Sequence, residues 1–193
     1  MKRIVLSLFA LGLVVLGLAG IVPSFPSLVG VQPAVQADTE KPITLDVAID
    51  CRTWRFNGGI SDPEFGRGDS FIANGKIFPA GTLPMGPATN DPNDPGSIGS
   101  WIERGTMAAT LDEIINKGVR PAFFATWFHL LDDGRGLVAD GPHPDSGPMA
   151  VVGGTGGFSG ASGEISAVTI IGENSTGCPN MRLTINLKKQ APK

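Results

Sequence analysis

Residues 123–131 read Phe-Phe-Ala-Thr-Trp-Phe-His-Leu-Leu, and at period two one face of this run carries Phe123, Ala125, Trp127 and His129. An imidazole beside an aromatic wall can act as acid, base or orienting donor near neutral pH. The opposite face carries Phe124, Thr126, Phe128 and Leu130, so both faces are largely apolar and either could point inward. A second candidate pair is Asp46 and Asp50, four apart in a run of alternating apolar and polar residues. Residues four apart on a strand share a face. They would give a cavity two carboxylates, or an outer wall two solvated charges. The candidate catalytic residues are therefore His129 and Asp50, with Asp46, Phe71, Phe123 and Trp127 as candidate pocket residues.

The stretch Met149–Glu164, M-A-V-V-G-G-T-G-G-F-S-G-A-S-G-E, invites a nucleotide-binding reading, because an apolar run breaking into glycines can be a strand and phosphate loop. The dinucleotide fingerprint needs G-x-G-x-x-G opening a helix. From Gly154 the spacing is one residue too long, and Gly163–Gly172 alternates with β-branched residues as a strand does. No Gly-Lys-Ser/Thr follows, which removes the P-loop as well. The glycines fit a tight connection between strands.

Cys51 and Cys178 are the two cysteines of the chain, one at the end of the first expected strand and one just before the last. An even pair in an exported protein is most simply a disulfide. In a closed antiparallel barrel with an even number of strands, the first and last are neighbours, and this bridge would staple their seam. Two cysteines and two histidines placed so far apart offer no metal site. Asn174-Ser175-Thr176 is a glycosylation sequon, meaningful only in a eukaryotic secretory pathway, and Gly177-Cys178-Pro179 beside it suggests an exposed turn where a glycan could sit.

The elements that must position these residues are mostly strands. Period-two or apolar runs occupy residues 43–50, 69–79, 100–109, 121–131, 137–140, 149–153, 164–171 and 181–187, with Asn74-Gly75 reading as a bulge or turn. Residues 80–99, dense in Gly, Pro, Asn and Asp, form a long loop. Thr110-Leu111-Asp112-Glu113 is a capping box and starts the one short helix. About eight short strands with Gly/Pro turns make an all-β barrel or sandwich.

At the N-terminus, Lys2 and Arg3 precede an apolar run over residues 4–22, and Val35-Gln36-Ala37 supplies small residues for cleavage. Residues 1–37 read as a signal peptide and residues 38–193 as one domain, secreted or periplasmic. The alternative is a membrane anchor through residues 4–22, an apolar run about as long as a spanning helix requires. The chain's net charge is −3 and it has no basic patch, so nucleic acid is not an expected partner.

The succession Gly68-Asp69-Ser70-Phe71, Gly75-Lys76-Ile77-Phe78-Pro79-Ala80-Gly81-Thr82, Thr126-Trp127 and the Met149–Gly163 glycine motif resembles the dirigent and allene oxide cyclase superfamily. The resemblance runs from about Ile43 to Leu187. It implies an eight-stranded antiparallel allene-oxide-cyclase-like barrel with a hydrophobic lumen, often assembled as a homotrimer. It implies a small hydrophobic or aromatic ligand whose cyclisation or coupling is directed as by an isomerase or cyclase, without a cofactor. The chain departs from the family at Ser162, where an arginine is usual, and at Gly157, where many members carry a charge. These departures favour an alternative, a non-catalytic ligand-binding or structural barrel.

Overall fold

The computed structural model describes residues 41–57, 66–83, 92–143 and 146–188. The signal-peptide and anchor readings fall outside these residues, as do 84–91 of the long loop. The strands are β1 (Ile43–Phe56), β2 (Ser70–Pro79), β3 (Gly99–Met107), β4 (Phe123–Leu131), β5 (Gly136–Pro142), β6 (Met149–Thr155), β7 (Gly163–Glu173) and β8 (Pro179–Leu187). Each pairs antiparallel with the next, and β8 pairs with β1, so the sheet closes into an eight-stranded all-β barrel. The one α-helix among the described residues, α1 (Leu111–Asn116), starts on the expected capping box: Thr110 Oγ1 accepts from the Glu113 N–H and the Glu113 carboxylate accepts from the Thr110 N–H. No helix among the described residues is long and apolar enough to cross a membrane.

Alternation along each strand decides what faces inward. In β1 the apolar phase Leu45, Val47 and Ile49 packs in the main core with Met181, Leu183 and Ile185 of β8 and Trp101 and Trp127 of β3 and β4. The opposite phase of β1, Asp46, Ala48 and Asp50, therefore lies on the outer wall. The Asn74-Gly75 pair sits within β2, opposite Asp50 and Ile49 on one side and Ile102 and Trp101 on the other, and makes no turn. Gly75 is needed there because a Cβ would lie 2.6 Å from the Ala48 carbonyl oxygen. The glycine stretch forms β6, a single 3-10 turn over Gly156–Phe158 and then β7, which pairs with β6 through only three residues.

The seam between β1 and β8 is closed in two ways. Six residue pairs run from Ile43↔Ile185 to Ala48↔Asn180, and beyond them Cys51 and Cys178 form the expected disulfide, with Cα atoms 5.3 Å apart. Between the ladder and the bridge, side chains stand in for the missing strand. Asn174 Nδ2 donates to the Ile49 carbonyl at 2.8 Å and to Asn180 Oδ1 at 3.0 Å, and Thr176 Oγ1 accepts from the Cys51 N–H at 3.0 Å. Asn174 is buried and its Oδ1 accepts from both the N–H and the hydroxyl of Thr176. The exposed-sequon expectation is thereby corrected: a glycan on Nδ2 would have to displace the bonds that hold the seam.

Replacing both cysteines by serine is expected to lower stability by up to about 4–5 kcal/mol, the chain-entropy limit for so long a loop. Urea unfolding under oxidising conditions measures it. A loss below about 1 kcal/mol, the scale of single hydrogen bonds, would show that the Asn174 and Thr176 bonds close the seam unaided.

Candidate functional site

The lumen is built by β3 and β4, whose register pairs Trp101 with His129, Glu103 with Trp127, Gly105 with Ala125 and Met107 with Phe123. All four pairs point inward. Small residues leave a gap near one end: Gly105, Ala125 and Gly141 lie side by side across β3, β4 and β5. Phe71 of β2 lies over Gly105 so closely that a Cβ there would collide with its ring. At this end of the barrel, near the disulfide, Trp54, Phe56, Phe71, Phe123 and His143 form a continuous ring stack. Their centroids are 6.2 Å apart for Trp54 and Phe71, 5.9 Å for Phe56 and Phe71, 4.9 Å for Phe71 and Phe123 and 4.2 Å for Phe123 and His143.

Beneath that stack lies a cavity of about 30 Å³ lined by Ile49, Trp54, Glu103, Phe123, His143 and Met181 among others. It has room for one or two water molecules. The carboxyl of Glu103 is fully buried there and accepts a 2.8 Å bond from Trp127 Nε1–H. Burial pushes its pKa above the usual glutamate range, against the pull of nearby His143 and the Trp127 bond. A carboxyl tuned upward in a dry, aromatic-lined space is suited to hold a proton and deliver it.

His129 lies deeper in the same wall, 2% exposed, with its ring 6.0 Å from that of Trp127. Burial lowers its pKa to about 4, the Leu137 backbone opposing the shift, so the imidazole is neutral at physiological pH. Among the described residues no hydrogen-bond partner meets either of its nitrogens, nor Nε1 of Trp101 across the strand pair. His129 does not line the cavity.

Of the residues expected from sequence, Phe71, Phe123, Trp127 and His129 meet in the lumen, whereas the two aspartates do share a face and it is the outer one. Asp50 pairs with Arg52 at 2.8 Å, and that hydrogen-bonded guanidinium holds its carboxyl below the usual range. Asp46 is buried on the outer wall, bound by Arg182 at 2.8 and 3.1 Å and by the N–H groups of Gly81 and Leu83. It fastens the loop after β2 over Ala48, Phe78, Leu83 and Ile170, a small second core. The groups missed in the sequence are Glu103 and His143. Glu103 was readable, since it stands between Trp101 and Met107 in the inward phase of β3.

Two known dirigent-protein structures share this barrel. The pterocarpan synthase dirigent protein PsPTS1 is 15% identical, over 81% of this chain and 99% of that chain, with a TM-score of 0.55. The pterocarpan synthase dirigent protein GePTS1 is 14% identical, over 79% and 88%, with a TM-score of 0.54. Pyocyanin demethylase is 18% identical, over 75% and 99%, with a TM-score of 0.46. No protein-family model and no curated protein matches the chain. The fold is that of the dirigent and allene-oxide-cyclase-like barrels.

Because the His129 pKa falls on folding, the native state binds fewer protons than the unfolded chain below about pH 6.5, and acid favours unfolding. The stability tied to this group is present above about pH 6.5 and is lost toward pH 4. By pH 5 the loss is about 2 kcal/mol relative to pH 7. In urea titrations at the two pH values, His129→Gln is expected to remove that difference. An unchanged pH dependence would show that the imidazole is not held dry and neutral.

Proposed function

We propose that this chain is an exported barrel, secreted or periplasmic after cleavage at Ala37, that takes a small hydrophobic or aromatic molecule into its lumen and directs its cyclisation or coupling. The observation that carries the reading is the buried Glu103 carboxyl in an aromatic-lined cavity beside His143. Glu103 gives its proton to a basic oxygen of the bound molecule and later takes one back. His143 stabilises the carboxylate in between, and Trp127 fixes the carboxyl oxygen that is not transferring. The rings of Phe71, Phe123 and Trp127 set which face of the molecule is presented. The fold shared with two dirigent proteins supports the class of the reaction.

The cavity is far smaller than a typical small-molecule pocket of about 300–1,000 Å³. Binding therefore requires Trp54 and Phe56, which cover Phe71 at the disulfide end of the barrel, to swing aside. That tight filling also favours the second reading, a barrel that binds or scaffolds without catalysis. The implied homotrimer belongs to the proposal too, and outward-facing Leu130, Val152 and Val168, each 46–60% exposed, would supply apolar contact area.

Native mass spectrometry of the purified chain, incubated with phenolic and lipid extracts, is expected to show one retained molecule per barrel and to report the assembly state. Glu103→Gln is expected to keep the ligand while turnover falls by about 10²-fold or more, the usual contribution of a positioned acid. Turnover that survives the substitution would remove Glu103 from the chemistry. A wild-type chain that retains nothing leaves the structural reading standing.

A further inference from the structure

A second concavity lies outside the lumen. It is a groove of about 750 Å³ on the outer wall. Strand register defines its shape. Its floor is the backbone of Phe56, Phe71, Gly105 and Ala125, which pair across β1–β4 with their side chains turned inward. One bank is the outward row Asn57, Ser70, Thr106 and Phe124. The other bank is the outward row Arg55, Ile72, Arg104, Thr126 and Asp140. The trough thus crosses five strands at right angles and is about 19 Å long, at about 4.8 Å per strand spacing.

The chemistry of the banks narrows the occupant. Phe124 is 53% exposed and offers a flat apolar platform. Ser70, Thr106, Thr126 and Asn57 supply hydroxyl and amide groups. Arg55 and Arg104 are exposed cations in a chain whose net charge is −3, and Arg104 stays close to the wall over the Phe128 ring at 5.7 Å. Asp140, held by the Thr126 hydroxyl at 3.3 Å, sits in the same row and would repel a polyphosphate. A mixed array of this kind suits a ligand with many hydroxyls, apolar ring faces and well-spaced carboxylates.

We infer that this groove binds an acidic oligosaccharide, a chain of uronate-containing pyranoses lying across the strands. One strand spacing is close to the length of a pyranose unit. Arg55 and Arg104 are two spacings apart and so meet the carboxylates of alternate units, which point the same way in a two-fold chain. Guanidinium and carboxylate make paired hydrogen bonds, and Phe124, one strand beyond Arg104, stacks on the next sugar face; the acidic run leaves the groove there, because Asp140, two spacings beyond Arg104, would repel a third same-side carboxylate. The groove lies on the opposite side of the wall from Glu103, so this inference goes beyond the lumenal reading and stands without it.

Affinity electrophoresis through gels containing polygalacturonate tests it, with neutral dextran and polyphosphate gels alongside. The wild-type chain is expected to be retarded by polygalacturonate at about 0.15 M salt, where exposed charges are screened beyond about 8 Å, and not by dextran. Arg104→Ala and Phe124→Ala should each weaken retention about tenfold or more. Arg104→Lys should restore part of it and show that the wall still folds. Glu103→Gln should leave retention unchanged, which separates this site from the lumen. No retardation, or equal retardation by dextran or by polyphosphate, overturns the inference. So does sedimentation in which Phe124→Ala dissociates a wild-type oligomer, because the groove would then be an interface between copies.

Discussion

A sheet of eight short strands has two open edges unless β8 finds β1, and nearly everything else in this structure depends on that pairing. Closure turns the alternation of each strand into an inside and an outside. It removes water from the residues on one phase and bends the sheet enough for the other phase to form a trough. The seam is therefore reinforced where the ladder runs out, by a covalent bridge and by the side chains of Asn174 and Thr176 acting as strand partners. Antiparallel barrels answer the problem of exposed strand edges by abolishing them.

Closure also explains why like groups have unlike fates. Asp46 and Glu103 are both buried carboxylates, yet one faces a guanidinium and two backbone N–H groups while the other meets one indole N–H and a set of rings. The first arrangement compensates a buried charge, and the second leaves it costly. Asp46 therefore serves to fasten a loop. Glu103, whose charged form burial disfavours, titrates above the usual glutamate range in a space too small for bulk water. His129, in the same dry wall, is driven the other way and stays neutral.

How much of this could be read from residues alone follows from pattern strength. β1 announces its inner face, because Leu45, Val47 and Ile49 alternate with Asp46, Ala48 and Asp50; the same pattern places both aspartates outside. β4 announces nothing, being apolar in both phases. Its orientation is settled only by its neighbour β3, where Trp101, Glu103 and Met107 share a phase, and a lone glutamate in an apolar phase is easily dismissed as a surface charge. The capping box at Thr110 was legible because it is local. Asn174 was misread because its partners, Ile49 and Asn180, depend on closure; a sequon in a turn looks exposed until a first strand is laid beside it. The outer trough had no sequence signal, since its banks come from five strands and exist only once their registers are fixed.

Adjacent residues on β3 tie the lumen to the outer wall. Glu103 points in and Arg104 points out, so one strand carries the acid of the cavity and a cation of the trough on opposite sides of a single backbone. A slip of one residue in the pairing of β3 would exchange them. It would bring a guanidinium, which does not lose its proton, into a space lined by tryptophans, and put Ile102 where Trp101 now packs against Trp127. Burying such a charge without a partner costs several kcal/mol, so the wrong register excludes itself. The pairing is fixed from both flanks, by Phe71 seated over Gly105 on the β2 side and by the Trp127 to Glu103 bond on the β4 side. The same contacts that shape the lumen thus hold the trough residues in line, and neither surface can drift in register without the other.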